Sequence, residues 1–181
     1  MIQLKNYFLF LWNGGLNPDY ADPVELREHR TLSSMAMLLS PIGFLVIISN
    51  TASGYGQDNF YISIGLAIIF SSVFVQAHLK SRLFAVNLHL FAFWMMPAAV
   101  MQNYGVQGTT MMWLIPHSAI AVLLSGPRNG VIWAIICSMT IAVYGFLHSQ
   151  GQIAFNYGEH NFVASAGMPN AIDCIFIIVI C

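Results

Sequence analysis

The sequence predicts an all-α integral membrane protein, a bundle of six transmembrane helices with both termini in the cytoplasm. Of its 181 residues, 57% are hydrophobic and only 7% are charged, whereas soluble domains carry about 25% charged residues. The apolar residues fall into runs of about 20, the length that crosses the hydrocarbon core of a bilayer. The 6 lysines and arginines all lie on one side of the resulting threading. These three observations together place most of the surface against lipid.

Residues 1–30 are the predicted cytoplasmic lead-in. The run 1–12 is apolar with a single lysine, too short to span, and typical of a helix that lies in the membrane interface. The stretch 13–23 is rich in Gly, Asn, Asp and Pro, which predicts a loop. The stretch 23–30 is the most charged part of the chain, and Asp22 is placed to cap a short helix there.

Residues 31–181 are the predicted six-span domain. The spans share a near absence of charged residues, and turns rich in glycine, asparagine or basic residues separate them. They cover 31–50, 60–78, 83–102, 109–125, 129–148 and a last run from Met168 to Cys181. That last run is shorter than the about 20 residues that a span needs. We therefore expect the sequence to be truncated in or just after span six.

The basic residues set the predicted orientation. Cytoplasmic loops of membrane proteins carry an excess of lysine and arginine. Here every basic residue lies in the lead-in, in the turn 79–82 or in the turn 126–129, while Asp58 and Glu159 fall on the opposite side. The pattern predicts a multi-pass protein with a cytoplasmic N-terminus, and six spans return the C-terminus to the cytoplasm.

Polar groups inside spans are the first functional candidates, because their burial in lipid is costly. With a rise of about 1.5 Å per residue, His117 in span four and Asp173 in span six lie at similar depth in the outer half. Together with Trp94 and Trp113 they predict a ligand pocket open to the outside. The alternative is that His117 and Asp173 each hydrogen-bond a neighbouring helix and only hold the bundle together.

Two further candidates, Asn87 and His89, lie deeper in span three, where a structural role is the alternative to ligand binding. A group of methionines surrounds the outer level of the predicted pocket, namely Met95, Met96, Met101, Met111 and Met112. Thioethers with histidine can hold Cu(I), but methionine is also an adaptable packing residue. Their spacing matches no metal motif, so we predict no metal site. His148, Glu159 and His160 are interpreted as solvated residues at the outer edge, with coordination of a divalent cation or pH sensing as the alternative.

Catalysis is not predicted. The sequence has no GxSxG, HExxH or phosphate-loop motif, so no catalytic residue is assigned. The net charge of −1 gives no reason to expect a nucleic-acid partner. The cysteines, Cys137, Cys174 and Cys181, all lie in apolar runs and are interpreted as small buried apolar residues.

Three features carry a resemblance to a known class of protein. A short charged helix at 25–30 (ELREHR) leads into span one, a basic turn at 80–82 (KSR) follows span two, and a turn at 126–130 (GPRNG) precedes a span with Trp133. From about Pro23 to its end, the chain resembles the six-transmembrane N-terminal sensor modules of bacterial signalling proteins. Such modules precede histidine kinase, diguanylate cyclase or class III nucleotide cyclase domains.

The resemblance implies a sensory input domain in the bacterial inner membrane, with the bilayer as its surroundings and a second copy as its partner in a homodimer. A signal from the outer-half pocket or from the lipid would pass through span six to a cytoplasmic kinase or cyclase. The ligand would be a small molecule or an ion that the resemblance does not identify, and no cofactor is implied. Pro41, Pro97 and Pro116 are candidate hinges. A small transporter or channel component is the alternative function.

Overall fold

The computed structural model describes residues 2–52, 54, 56–104 and 113–152. Across these ranges the chain forms six α-helices and one short 3-10 helix, with no β-strand. The helices are α1 (Ile2–Trp12), α2 (Pro23–Ala52), α3 (Asn59–Leu79), α4 (Arg82–Tyr104), α5 (His117–Ser125) and α6 (Pro127–Ser149). The 3-10 helix Gly56–Asp58 precedes α3. The predicted sixth span, and Asp173 with it, lies outside the described residues.

Four helices, α2, α3, α4 and α6, are long and apolar enough to cross a membrane. The prediction of an all-helical bundle with membrane-type helices is therefore confirmed, while the count of six spans and the placement of the termini stay predictions. In the region of predicted span four, α5 has only 9 residues, which is about 13 Å of helix. A 3-10 turn at 113–114 comes before it, and residues 109–112 are not among those described.

The helix α2 is longer than the sequence indicated, because the charged lead-in and the first span form one helix of 30 residues. Asp22 caps it, with Oδ1 accepting from the backbone N–H of Val24 at 2.9 Å. Pro23 occupies the first helical position, where its missing N–H is no loss. Pro41 lies inside the helix without ending it. Nothing between 30 and 31 breaks the helix, and the boundary between the cytoplasmic lead-in and the membrane domain stays a prediction.

The end of α1 is held tightly against α2 and α3. The turn after α1 uses Gly14 and Gly15 at φ +64° and +78°, a conformation that glycine adopts readily. A Cβ on Gly15 would lie only 2.1 Å from the carbonyl oxygen of Ala77. Nearby, Arg30 Nε donates to Asn13 Oδ1 at 3.0 Å. The lead-in helix is thus packed onto the bundle, and its position in the membrane interface stays a prediction.

Arg82 joins three helices at one end of the bundle. Its Nη1 lies 2.8 Å from Glu28 Oε2 on α2. Its Nη2 donates to the carbonyl oxygen of Leu124 in the last turn of α5, where carbonyls lack helical partners and a positive charge is favourable. The preceding turn closes α3 with Lys80 in the left-handed conformation at φ +52°. The predicted basic turn is therefore also a structural junction.

Small residues allow the helices to approach closely, as is usual in membrane bundles. A Cβ on Gly65 of α3 would lie 2.3 Å from Met96 of α4, and one on Gly130 of α6 would lie 2.2 Å from Val122 of α5. The main core lies between α2, α3, α4, α5 and α6. Large apolar side chains remain exposed on the outside of the bundle, including Phe84 and Phe146, as expected of a surface that meets lipid.

Candidate functional site

His117 lies inside a cluster of aromatic rings that three segments contribute. It is the first residue of α5, directly after Pro116, and it is fully buried. The ring of Phe93 from α4 stacks on the imidazole with centroids 5.4 Å apart. The indole of Trp133 from α6 lies 4.9 Å away at 44°. Trp113 packs edge-on against Phe93 at 6.1 Å. We call His117, Phe93, Trp113 and Trp133 the imidazole cage.

Both ring nitrogens of His117 are buried without a hydrogen-bond partner among the described residues. A neutral imidazole offers one donor and one acceptor. Leaving such a group unsatisfied in the interior costs about 1–3 kcal/mol. The apolar rings around His117 supply stacking but no strong acceptor or donor to these nitrogens. The cage is therefore a place where a polar group of a bound molecule would find unused hydrogen-bonding capacity.

His89 adds a second imidazole close to the cage. It lies on α4 one helical turn before Phe93, is fully buried, and is within electrostatic range of His117. Its Nδ1 is 3.2 Å from Ser72 Oγ, and the Ser72 hydroxyl donates to the carbonyl of Ile69 at 2.6 Å. Since that hydroxyl has one proton, Nδ1 of His89 must be the donor. Its Nε2 is then an acceptor, and it has no partner among the described residues.

Asn87 has a structural role that accounts for all its polar atoms. Its Oδ1 accepts from Trp133 Nε1 at 3.1 Å and from Asn129 Nδ2 at 3.2 Å. Its Nδ2 donates to the Leu83 carbonyl at 2.9 Å. These bonds tie α4 to α6 and hold the Trp133 ring where it meets His117. Asn87 thus positions the cage, and its place among the ligand-binding candidates stays a prediction.

Trp94 also links α4 to α6. Its indole N–H donates to Thr140 Oγ1 at 2.9 Å, and Thr140 donates in turn to the Ile136 carbonyl at 2.8 Å. One turn further along the same pair of helices, the Tyr144 hydroxyl donates to the Ala98 carbonyl at 2.8 Å. Trp94 belongs to this seam of interhelical hydrogen bonds, a role that the sequence offered as the alternative for His117 and Asp173 but not for Trp94.

The structure brings together some of the residues that the sequence singled out. His117 and Trp113 share one cluster and His89 lies beside it, whereas Trp94 bonds α6 in the separate seam. Asp173 lies outside the described residues, so its part in a pocket stays a prediction. Sequence reasoning did not assign Phe93 a role, because a phenylalanine in an apolar run has no distinguishing signal. Its position four residues after His89 was the available clue.

A row of buried polar side chains continues from the cage along α3. Ser72 and Gln76 lie one turn apart on that helix, and both are fully buried. Gln76 Nε2 donates to the backbone carbonyl of His29 at 3.1 Å. Gln76 Oε1 and His29 Nδ1 are buried without partners in the described part of the chain. The row ends at the N-terminal part of α2, where His29 Nε2 is 3.9 Å from Glu25 Oε1.

The sequence analysis did not predict this row, although the polar residues at 72 and 76 inside an apolar run were a visible signal.

Within the described ranges, no group of three or more His, Cys, Asp or Glu side chains is placed to hold a metal ion. Of the methionines considered for Cu(I), Met111 and Met112 lie outside those ranges. The expectation that there is no metal site stays a prediction.

The chain matches no protein-family model, no curated protein and no solved structure. The resemblance to sensor modules therefore rests on the sequence pattern alone, and the function must be argued from the cage and the row.

Proposed function

We propose that the chain is a membrane-embedded sensory input domain of a bacterial signal-transduction protein, and that the imidazole cage receives the signal. One observation carries the proposal. Three buried imidazole nitrogens, on His89 and His117, have no partner among the described residues. Retaining them in a bundle of apolar helices has a cost in stability, and polar groups kept at such a cost inside a membrane domain usually serve a function.

The chemistry of the cage defines a class of ligand. The rings of Phe93, Trp113 and Trp133 favour an apolar or aromatic body. The unpartnered nitrogens of His117 and Nε2 of His89 favour a head group that both donates and accepts hydrogen bonds. A small apolar molecule with a hydroxyl, carboxyl or amide group meets both requirements. The same signal could reach the cage from the bilayer, because such a molecule partitions into lipid.

The mechanism we propose is a shift between two arrangements of the cage. In the closed arrangement, Phe93 and Trp133 cover the imidazole of His117. A ligand bound to the nitrogens must displace ring contacts, and it shifts the equilibrium only by its difference in affinity for the two states. A proline lies close to Phe93 and another lies close to His117, the residues whose contacts would change. Pro97 cannot donate to the carbonyl of Phe93, four residues earlier, and Pro116 precedes His117 directly.

This shift would be transmitted as a change in the relative positions of helices. Trp133 is carried by α6, so displacement of its ring biases the position of that helix relative to α4. We propose that the predicted last span follows α6 and passes the displacement to a cytoplasmic kinase or cyclase, with a second copy of the chain as the partner. The outer-half position of the site and the bacterial inner membrane belong to the same proposal.

The buried polar row favours a second candidate function, a small transporter or channel component. A transport path needs polar groups that continue across the membrane, and Ser72, Gln76 and His29 extend the cage toward the end of the bundle that holds Glu25. The sensor is preferred because Gln76 is bonded to backbone and Ser72 to both His89 and backbone. These bonds fix the row as packing rather than leaving an open path.

Intrinsic tryptophan fluorescence tests the ligand-binding part of the proposal directly, because Trp113 and Trp133 belong to the cage. We would screen small hydroxy, carboxy and amide compounds with apolar bodies against the purified chain in lipid nanodiscs. The proposal predicts saturable changes in emission that disappear in His117→Leu. The variant His78→Gln alters an exposed histidine outside the cage and should respond as the parent does. Emission changes that persist in His117→Leu would show that the compound binds to another part of the protein.

A further inference from the structure

A groove of about 410 Å³ follows one face of α2 near its N-terminal end. Its lining combines apolar, hydroxyl and basic side chains. The lining residues are Pro23, Leu26, Arg27, Arg30, Thr31 and Ser34. They recur at the three- and four-residue spacing that places side chains on one face of a helix. The groove therefore lies where the charged part of α2 gives way to its apolar part.

The groove carries uncompensated positive charge. Arg27 is exposed, and its guanidinium forms no hydrogen bond or ion pair within the described residues. Arg30 uses its Nε on Asn13 Oδ1, which fixes the guanidinium and leaves its terminal nitrogens for other acceptors. No carboxylate lies within ion-pair distance of either arginine in the described part of the chain: Glu28 pairs with Arg82, and Glu25 Oε1 lies 3.9 Å from His29 Nε2. Two guanidinium groups in one groove are suited to a phosphate.

The hydroxyl groups in the groove are already used. Thr31 Oγ1 donates to the Arg27 carbonyl at 2.9 Å, and Ser34 Oγ donates to the Arg30 carbonyl at 2.7 Å. Their protons satisfy the helix, so they offer a ligand only acceptor lone pairs. Recognition of an anion in this groove must therefore rest on the two arginines.

The same face of α2 continues beyond the groove as an exposed apolar stripe. The stripe lies on the same helix face as the groove, with the exposed Pro41 between its two halves, and it has large side chains open to the surroundings. Its members, with exposed fractions, are Met37 (41%), Leu38 (41%), Leu45 (54%) and Ile48 (64%). From Met37 to Ile48 it runs about 16 Å, close to the hydrocarbon depth of one leaflet, about 15 Å. A basic groove at the N-terminal end of such a stripe has the shape and polarity of a phospholipid binding site.

We infer that α2 holds one anionic phospholipid, with its phosphate between Arg27 and Arg30 and an acyl chain along the stripe from Met37 to Ile48. The charge of the groove selects an anionic headgroup, and the apolar stripe selects a lipid over a free phosphate. The bound lipid would steady the α2 end that contacts α1 through Arg30 and Asn13. This inference does not depend on the imidazole cage or on the sensor proposal.

Native mass spectrometry of the chain released from nanodiscs tests the inference. Nanodiscs would contain phosphatidylcholine with phosphatidylglycerol, and soluble glycerol phosphate would be tested separately. We expect one phosphatidylglycerol retained in preference to phosphatidylcholine and no retention of glycerol phosphate. Arg27→Gln should reduce retention about fivefold, the effect of one basic residue near a membrane surface. Arg27→Lys should keep most of it, because the charge remains.

The matched control is Arg128→Gln, which removes an exposed arginine outside the groove and should leave retention unchanged. Equal retention of the two lipids would show that the groove does not select an anionic headgroup, and equal loss in Arg27→Gln and Arg128→Gln would show only general attraction to anionic surfaces. Either result would overturn the inference. If glycerol phosphate is retained as well as the lipid is, the groove binds a free anion and not a lipid. A dimer cross-linked through the α2 stripe would show that a second copy covers it and would also overturn the inference.

Discussion

His117 presents the sharpest conflict between packing and polarity in the described part of the chain. Replacing it by Leu keeps a comparable volume and removes two nitrogens without partners. We expect His117→Leu to raise the free energy of unfolding by about 1 kcal/mol, since the relief of about 1–3 kcal/mol exceeds the lost ring stacking of about 0.5–1.5 kcal/mol. His117→Ala should lower it by about 2–4 kcal/mol through cavity formation.

Unfolding of the reconstituted chain in mixed detergent micelles, titrated with sodium dodecyl sulfate, measures both variants. A large loss of stability in His117→Leu would show that the nitrogens have a partner beyond the described residues, and Asp173 would be the first candidate. That outcome would return His117 to the role of interhelical hydrogen bonding.

Replacing Asn87 by leucine should lower the free energy of unfolding, in contrast to His117→Leu, because all the polar atoms of the Asn87 side chain are bonded. Asn87→Leu leaves the Trp133 indole N–H without its acceptor, and we expect a loss of about 1–3 kcal/mol in the free energy of unfolding. The control Asn129→Ala removes one of the two donors to Asn87 together with a bond to Ser125 Oγ, and it should lose about 1 kcal/mol, at about 0.6 kcal/mol for each interhelical bond. The same detergent titration measures both. Equal losses would contradict the positioning role of Asn87.

Sequence alone could identify the polar residues of the spans but could not assign their roles. In the sequence, Asn87 and His117 are both single polar residues inside apolar runs, and nothing distinguishes their roles. Their roles differ because Asn87 meets two donors from α6, while His117 meets mainly rings. Which neighbour a side chain meets depends on how the helices pack, and the periodicity of a span that is apolar on all sides carries little information about that packing.

At the scale of elements, the turn after α1 offers a clean test of close packing. Gly15→Ala places a Cβ against the Ala77 carbonyl at φ +78°. We expect a loss of about 2–4 kcal/mol, from left-handed strain together with overpacking. Gly54→Ala is the control, because Gly54 has φ +82° and open space around its Cβ position. It should lose only about 1 kcal/mol.

Hydrogen exchange on α1 gives the readout, since release of the turn should speed exchange along that helix in Gly15→Ala alone. Equally slow exchange in both variants would show that α1 is not held by this contact.

The helices themselves were largely predictable, and the departures have physical causes. Predicted spans 60–78 and 129–148 correspond to α3 (Asn59–Leu79) and α6 (Pro127–Ser149), because apolar length and the flanking turns determine both. The charged lead-in and the first span share one helix, α2, because a change in charge does not end a helix that has no breaker. In span four, Pro116 caps α5, so the regular helix begins later than the apolar run does.

At the scale of the whole molecule, composition and charge placement predicted a membrane bundle, and they also predict its orientation. Reporter fusions test that orientation. A fusion after Lys80 or after Arg128 should be active only with a reporter that works in the cytoplasm, and a fusion at Gly54 only with one that works outside. Activity of the same reporter at Lys80 and Gly54 would mean that α3 does not cross the membrane.

The arrangement of helices around His117 was beyond sequence reasoning, since contacts such as Gly65 against Met96 arise from close packing rather than from any motif. The central claim, that the cage binds a signal molecule without transporting it, needs a comparison of binding with flux. The most direct measurement uses proteoliposomes and a labelled compound found in the fluorescence screen. Our account predicts saturable binding of one molecule per chain, lost in His117→Leu, with no accumulation inside the vesicles. Accumulation that requires the protein would contradict it and identify a transporter.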